Sequence, residues 1–97
     1  MYRLIVRPQV RLDLIEIGDF IALDNPHRAH SFINEIFGKL SDCAERPLIF
    51  PERSDLLTGL RTARHGRYLI FFLVNGSDVE IVRILHTARD LERAFHQ

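Results

Sequence analysis

Five basic residues in the C-terminal part of the sequence carry side chains that bind anions: Arg61, Arg64, Arg83, His86 and Arg89. A guanidinium group forms two parallel hydrogen bonds with a phosphate or a carboxylate, and two such groups on one sheet face would stabilise charge that develops on a phosphate. An imidazole titrates near neutral pH, so it can act as a general acid or base. These residues are the first candidates for a functional site.

Arg83 and His86 each have a structural interpretation beside the chemical one. Arg83 lies in the apolar run from Ile81 to Leu85, where a charged side chain needs a partner. An ion pair within the fold therefore explains it as well as a bound phosphate does. His86 fits equally well as a hydrogen-bonded histidine at a strand end. Strict alternation along a strand would point Arg83 and His86 to opposite faces unless a bulge intervenes.

Other catalytic patterns have little support. His27 and His30 stand three residues apart, but no nearby carboxylate or cysteine completes a four-ligand metal pattern, which favours a solvated helix face. The sequence has no phosphate-binding glycine loop, no Ser-His-Asp arrangement with a nucleophile elbow and no paired-carboxylate motif. Asp90 is explained as a helix cap. We therefore expect neither a metal ion nor a cofactor.

The basic residues lie on a predicted three-stranded antiparallel meander. Its strands are Leu60 to Arg64, Arg67 to Val74 and Val79 to His86, and the residues between them are typical of chain reversals. The middle strand is apolar at odd and even positions alike, so we expect it inside the sheet with both faces covered.

Apolar spacing predicts two helices before the meander, after a first strand from Tyr2 to Arg7. In the first helix, Gln9 to about Leu23, the buried stripe is Val10, Leu14, Ile17 and Ile21, and the residues expected in solvent are Arg11, Asp13, Glu16 and Asp19. Asn25 and Pro26 start the second helix as N-cap and first helical residue. The short connection predicts an antiparallel helical hairpin packed on one face of the sheet.

The remaining segments are a loop and a short C-terminal helix. The loop, residues 46–58, contains two prolines, and we expect Leu48, Ile49 and Phe50 to anchor it to the core. Thr87 to Asp90 matches a capping box, which predicts a helix that continues to about Phe95.

Length and composition indicate one domain, residues 1–97, of a globular protein. The net charge is zero, so the whole molecule is not an electrostatic nucleic-acid binder, although residues 59–97 hold six arginines against four acidic residues. Cys43 is the only cysteine and is expected in the core, which suits a reducing cytosol. We see no signal peptide and no membrane-spanning run, and expect a cytoplasmic protein.

The order of three segments, GLR, RYLIFF and VEIVRILHTARD, resembles the C-terminal half of the ParE/RelE toxins of bacterial toxin-antitoxin modules. HTARD stands where ParE-like members carry a His-x-Ala-Arg-Asp signature. Residues 13–17 and 25–29 fall where these toxins have a DL-x-x-I helix and a P-x-x-A helix start. The resemblance implies an α+β fold, β-α-α-β-β-β, in which an antiparallel sheet packs on a helical hairpin and a short C-terminal helix follows.

The resemblance allows two activities. RelE-like toxins cleave mRNA on the ribosome with lysines, arginines and usually a C-terminal tyrosine, whereas this chain has only Lys39 and only the tyrosines Tyr2 and Tyr68. ParE-like toxins inhibit DNA gyrase by binding it, and we expect that activity and growth arrest here, without catalytic residues. The alternative is a ribosome-dependent mRNA endoribonuclease. Its catalytic residues would be Arg61, Arg83, His86 and His65.

The resemblance also implies partners. We expect a ParD-like antitoxin that neutralises the toxin, and DNA gyrase as a target bound through the five basic residues named first. Operator DNA would be reached only through the antitoxin, since the chain has no helix-turn-helix pattern of its own. A toxin dimer within the toxin-antitoxin complex is one arrangement that the family allows.

Overall fold

A computed structural model describes residues 2–96 of the chain. The elements in order are β1 (Arg3–Val6), α1 (Pro8–Ala22), α2 (Pro26–Glu45), a 3-10 turn (Pro47–Ile49), β2 (Arg61–His65), β3 (Tyr68–Asn75), β4 (Asp78–His86) and α3 (Leu91–Phe95). This confirms the predicted α+β order. None of the helices within residues 2–96 is long and apolar enough to cross a membrane.

Both long helices begin with proline, where the missing N–H costs nothing because the first turn has no acceptor for it. Pro8 opens α1, one residue before the predicted start. The side chain of Asn25 accepts a hydrogen bond from the Arg28 amide (3.0 Å) and caps α2, as predicted. Gly18 of α1 lies against Ile33 of α2, so the two helices form the expected hairpin.

The four strands form one sheet in the order β1-β4-β3-β2. The last three strands are the predicted antiparallel meander, and β3 lies between two neighbours. The parallel arrangement of β1 beside β4 was not predicted: its register runs from Arg3 opposite Asp78 to Val6 opposite Ile81. Beyond Ile81, β4 therefore has no strand on that side.

A β-bulge at Val82 resets the alternation of side chains along β4. Phe71 of β3 pairs with Arg83 and the next residue, Phe72, pairs with Ile81, so Val82 has no partner. Before the bulge Ile81 packs with the helices, and after it the even-numbered Ile84 does so. His86 consequently follows Ile84 onto the helix side of the sheet.

Two apolar clusters cover the two faces of the sheet. On the helix side, Ile36 and Leu40 of α2 pack against Ile70 and Phe72. On the other side, α3 covers the sheet and the ring of Phe95 lies edge-on to Phe71 at 5.0 Å. Cys43 is fully buried as predicted, and burial raises the pKa of its thiol to about 12.

Two details of the sequence-based prediction are wrong. Leu48 and Ile49 do not anchor the loop, since they are 62% and 68% exposed, whereas Phe50 packs edge-on against Phe72 at 5.8 Å. Thr87 does not open α3, which begins at Leu91, whereas the prediction that Asp90 is a helix cap is confirmed, because its side chain accepts from the Arg93 amide (3.1 Å).

Ile36→Ala should lower the free energy of unfolding by about 2 to 5 kcal/mol, because it leaves a cavity in a fully buried site. Phe37→Ala on the next residue is the control, since the Phe37 side chain is 52% exposed; its effect should stay within about 0.5 to 1 kcal/mol. Urea unfolding of both variants measures the difference. Equal losses would contradict the packing described here.

Candidate functional site

Asp13 of α1 is a buried carboxylate, 4% exposed, and the prediction that it is solvated is wrong. Two nitrogens of Arg83, Nε and Nη2, donate to its two oxygens, each at 3.0 Å. The backbone amide of Ile84 donates to Oδ2 (3.0 Å), and the side-chain amide of Gln9 donates to Oδ1 (3.2 Å). Four donated hydrogen bonds satisfy a charge that would otherwise be costly to bury.

The position of Asp13 follows from the end of β1. Because β1 pairs with β4 only as far as Ile81, the amide of Ile84 points toward an edge that no strand covers. An unpaired buried amide costs about 1 to 3 kcal/mol, and the Asp13 carboxylate supplies its acceptor. We call this arrangement of Asp13, Arg83 and the Ile84 amide the Asp13 clamp; it ties α1 to β4.

Arg61 is also engaged within the fold. Its Nη1 donates to the carbonyl oxygen of Phe50 (2.7 Å) and its Nη2 to Glu52 (3.0 Å), which fastens the loop to β2. Arg61 stands opposite Phe72, whereas His86 stands opposite Tyr68 at the other end of β3. The structure therefore does not bring Arg61, Arg83 and His86 together on one ligand position.

His65 and His86 occupy one row across the sheet, on either side of Tyr68. The ring of Phe32 contacts both His65 and Tyr68, with centroids 5.1 and 5.6 Å apart, and His86 lies edge-on to Tyr68 at 5.1 Å. His65 Nε2 is 2.7 Å from Glu35. The hydrogen bond from Arg28, followed by that from His65, lowers the pKa of the Glu35 carboxyl.

A groove of about 430 Å³ opens between α1 and the C-terminal end of β4, and we call it the α1–β4 groove. It is lined by Asp13, Glu16, Ile17, Phe20, Tyr68, Ile84, Leu85, His86 and Arg89. Two of the predicted site residues, His86 and Arg89, therefore border the same cavity. Its walls are mostly apolar side chains, which suits a ligand that buries apolar surface.

Hydrogen bonding fixes the polar groups at one side of the groove. His86 Nδ1 accepts from the Ala88 amide (3.0 Å), so the neutral ring carries its proton on Nε2. The Arg89 amide donates to the His86 carbonyl oxygen (2.9 Å), which places Arg89 in a tight turn after β4. Arg89 is exposed and makes no ion pair with any residue in the part of the chain described.

Arg64 lies outside the groove but near the same end of the sheet. Its Nε donates to the carbonyl oxygen of Gly66 (2.9 Å) in the turn between β2 and β3, and the side chain is exposed. The backbone of that turn also bonds to the residue that follows β4, because the amide of Thr87 donates to the carbonyl oxygen of Arg67 (2.8 Å). Arg64, His86 and Arg89 are thus the predicted site residues that share one end of the sheet without a carboxylate partner from residues 2–96.

Sequence reasoning missed Glu16, Phe20 and Tyr68 as groove residues. Phe20 lies off the buried stripe of α1 and is 65% exposed, and a large apolar residue outside the stripe was the one signal present. Burial, and secondarily the charge of Glu16, raises the pKa of Tyr68.

Comparison with known proteins gives one family and several structures. The family described as ParE toxin of type II toxin-antitoxin system, parDE, matches residues 4–91. A chain of the chromosomal ParDE system from P. aeruginosa has a TM-score of 0.76 at 22% identity, over 89% of this chain and 96% of that one. A chain of the toxin-antitoxin complex RelBE2 from Mycobacterium tuberculosis has a TM-score of 0.60 at 25% identity, over 88% and 96%. No curated protein matches significantly.

Asp13→Ala should lower the free energy of unfolding by about 3 to 5 kcal/mol, because Arg83 and the Ile84 amide both lose their acceptor. Asp19→Ala, an exposed aspartate on the same helix, is the control and should change it by less than about 0.5 kcal/mol. Urea unfolding followed by circular dichroism gives both values. A tolerated Asp13→Ala would show that the clamp is not needed.

Tyr68 should make the fold sensitive to alkali. Its raised pKa means that the folded chain keeps a proton that the unfolded chain loses above about pH 10. The contribution of Tyr68 to the free energy of unfolding is fully present below that pH. It is lost as the pH rises through the pKa that Tyr68 has in the folded chain. Tyr68→Phe should flatten the decline in stability above pH 10 in thermal unfolding, and an unchanged decline would contradict this assignment.

Proposed function

We propose that this chain, which belongs to the ParE family of toxins of type II toxin-antitoxin systems, inhibits DNA gyrase by binding it and without cleaving nucleic acid. The family match spans residues 4–91, and the fold is shared with a chain of a ParDE system. Gyrase as the target rests on the ParE-like signature His86-Thr87-Ala88-Arg89-Asp90. Growth arrest in the cytoplasm would follow from blocked supercoiling.

The observation that favours binding over nucleic-acid cleavage is that the side chains of Arg61 and Arg83 bond to other groups of the chain. Their side chains are 18% and 19% exposed, and acceptors of the chain itself take up their guanidinium groups. A nuclease would need such groups free to meet the charge that develops on a scissile phosphate. Breaking the Asp13 clamp to free Arg83 would leave a buried carboxylate unpaired.

The residues left accessible form the proposed target-binding surface. They are Arg64, His86 and Arg89, at the end of the sheet where β4 leaves it. Neither Arg64 nor Arg89 has a carboxylate partner among residues 2–96, and Arg64 uses only its Nε within the fold, so both guanidinium groups keep donors for a second macromolecule. We therefore propose that only these three of the five predicted basic residues contact gyrase. Arg61 and Arg83 have a structural role instead.

A RelE-like endoribonuclease is the second candidate. The similarity to a chain of the RelBE2 complex and the meeting of His86, Tyr68 and Arg89 at one groove favour it, because these groups provide a proton carrier and a cation. Cleavage would then depend on His86 rather than on Arg83.

We also propose a ParD-like antitoxin as the partner that neutralises the toxin. Both structural neighbours come from toxin-antitoxin systems. Three large apolar residues of α1 and the residue that follows the helix are exposed to solvent: Leu12, Ile15, Phe20 and Leu23, which are 59%, 60%, 65% and 81% exposed. An apolar helix face of this kind is typical of a surface that a partner covers.

Purified chain should inhibit supercoiling by gyrase, and Arg64→Ala with Arg89→Ala should weaken that inhibition by about tenfold or more, because both proposed contacts are lost. Arg11→Ala with Arg46→Ala is the matched control, since both arginines are exposed and lie elsewhere. It should inhibit like the unmodified chain. Full supercoiling at stoichiometric toxin, together with codon-specific cuts in ribosome-bound mRNA that His86→Ala abolishes, would establish the second candidate instead.

A further inference from the structure

The turn between β2 and β3 carries cations and no carboxylate. Arg64 and Arg67 stand on either side of it, both are exposed, and neither makes an ion pair with any residue from 2 to 96. Residues 60–77 contain no aspartate and no glutamate. Arg67 was not among the predicted site residues, and both arginines lie outside the α1–β4 groove.

Backbone contacts bring a third unpaired arginine to the same end of the sheet. The Thr87 amide donates to the carbonyl oxygen of Arg67 (2.8 Å), and Arg89 follows two residues later. The strand that carries Arg64, β2, lies two strands from β4, which is a separation of about 10 Å. We call Arg64, Arg67 and Arg89 together the basic end.

The basic end lacks the apolar centre of a protein–protein interface. Within the described part of the chain, every exposed large apolar side chain lies in residues 4–57, on β1, on the helical hairpin or in the loop before β2. Protein interfaces have an apolar core inside a polar rim, whereas surfaces that bind DNA are more polar and more positively charged. The basic end therefore fits a polyanion better than the surface of a second protein.

Three carboxylates lie near the basic end, and two of them are engaged within the fold. Glu35 is held in ion pairs with two other side chains, and Asp90 caps α3. Glu16 borders the same groove as Arg89 and makes no ion pair with any residue from 2 to 96. The two arginines at the β2–β3 turn are therefore opposed least by negative charge.

We infer that the basic end contacts phosphates of the DNA duplex that gyrase holds, so that the chain binds gyrase and DNA together. This inference rests on the proposed gyrase target and specifies which component of that target the arginines meet. A guanidinium group forms two parallel hydrogen bonds with a phosphate. Phosphates of one strand follow at about 3.4 Å along the helix axis, so a surface about 10 Å wide spans about three of them.

Three arginines are too few to hold free DNA. The chain has no net charge to attract a polyanion, and non-specific binders reach useful affinity through many more phosphate contacts. On gyrase the duplex is already in place, so the contact becomes intramolecular within the complex and adds affinity at a high effective concentration. The contribution of the basic end should therefore appear only when gyrase carries DNA.

The test compares the affinity of the full-length chain for gyrase alone and for gyrase loaded with a linear DNA duplex. The unmodified chain should bind the loaded form about tenfold more tightly, and Arg64→Ala with Arg67→Ala should abolish that difference while changing the affinity for gyrase alone by less than about twofold. Arg11→Ala with Arg46→Ala is the matched control, since both arginines are exposed, make no ion pair with residues 2–96 and lie elsewhere; it should keep the full difference. Arg67→Ala alone, expected to reduce the difference about threefold, replaces the double variant if circular dichroism shows that variant to be unfolded.

Salt dependence gives a second measurement. Each lost phosphate contact should make the plot of log affinity against log salt concentration less steep by about 0.9, so the double variant should differ by about 1.8 on loaded gyrase. On gyrase alone its slope should match that of the unmodified chain.

Equal losses of the double variant on gyrase with and without DNA would assign the basic end to an acidic protein surface and overturn the inference. Equal affinity of the unmodified chain for both forms would overturn it as well, and in both cases gyrase would stand as the target. Absence of binding to either form would instead refute the proposed target, and the inference with it.

Discussion

The structure depends on one buried carboxylate. Asp13 lies inside the protein with 4% of its surface exposed. It accepts hydrogen bonds from the side chain of Arg83 and from the backbone amide of Ile84. A lone carboxylate in that position would cost several kcal/mol, and a lone arginine on β4 would have the same problem. Each group is stable there only because of the other. Their pairing fixes the distance between α1 and β4, which are the two walls of the groove.

The groove exists because β1 is short. A strand that continued along β4 past Ile81 would fill the space that α1 now occupies, and the Ile84 amide would bond to that strand instead. The bulge at Val82 coincides with the end of β1 and turns His86 toward the helices. Two irregularities in an otherwise regular sheet therefore place His86 at the groove and engage Arg83 in an ion pair within the fold.

The sequence predicted the elements well and the polar contacts poorly. Helical spacing and turn residues depend on neighbours in the chain, so the hairpin, the meander and the cap at Asn25 were accessible from local patterns. The partner of Asp13 lies 70 residues away, and periodicity marks only which residues are apolar, so a polar residue off the stripe was assigned to solvent. The prediction that Leu48 and Ile49 are buried was wrong for the opposite reason, because an apolar residue in a loop can remain exposed. For Arg83 the sequence left two interpretations open, and the observed ion pair is one of them.

The most direct test of the clamp is hydrogen exchange at the single amide of Ile84, measured by NMR in the unmodified chain. If the Asp13 carboxylate takes the place of the missing strand, this amide should exchange as slowly as the neighbouring amides of β4 that bond to β3, with protection near that of global unfolding. Exchange at the rate of an open edge amide would show that α1 is not held on β4 by this carboxylate, and would contradict the account of the groove.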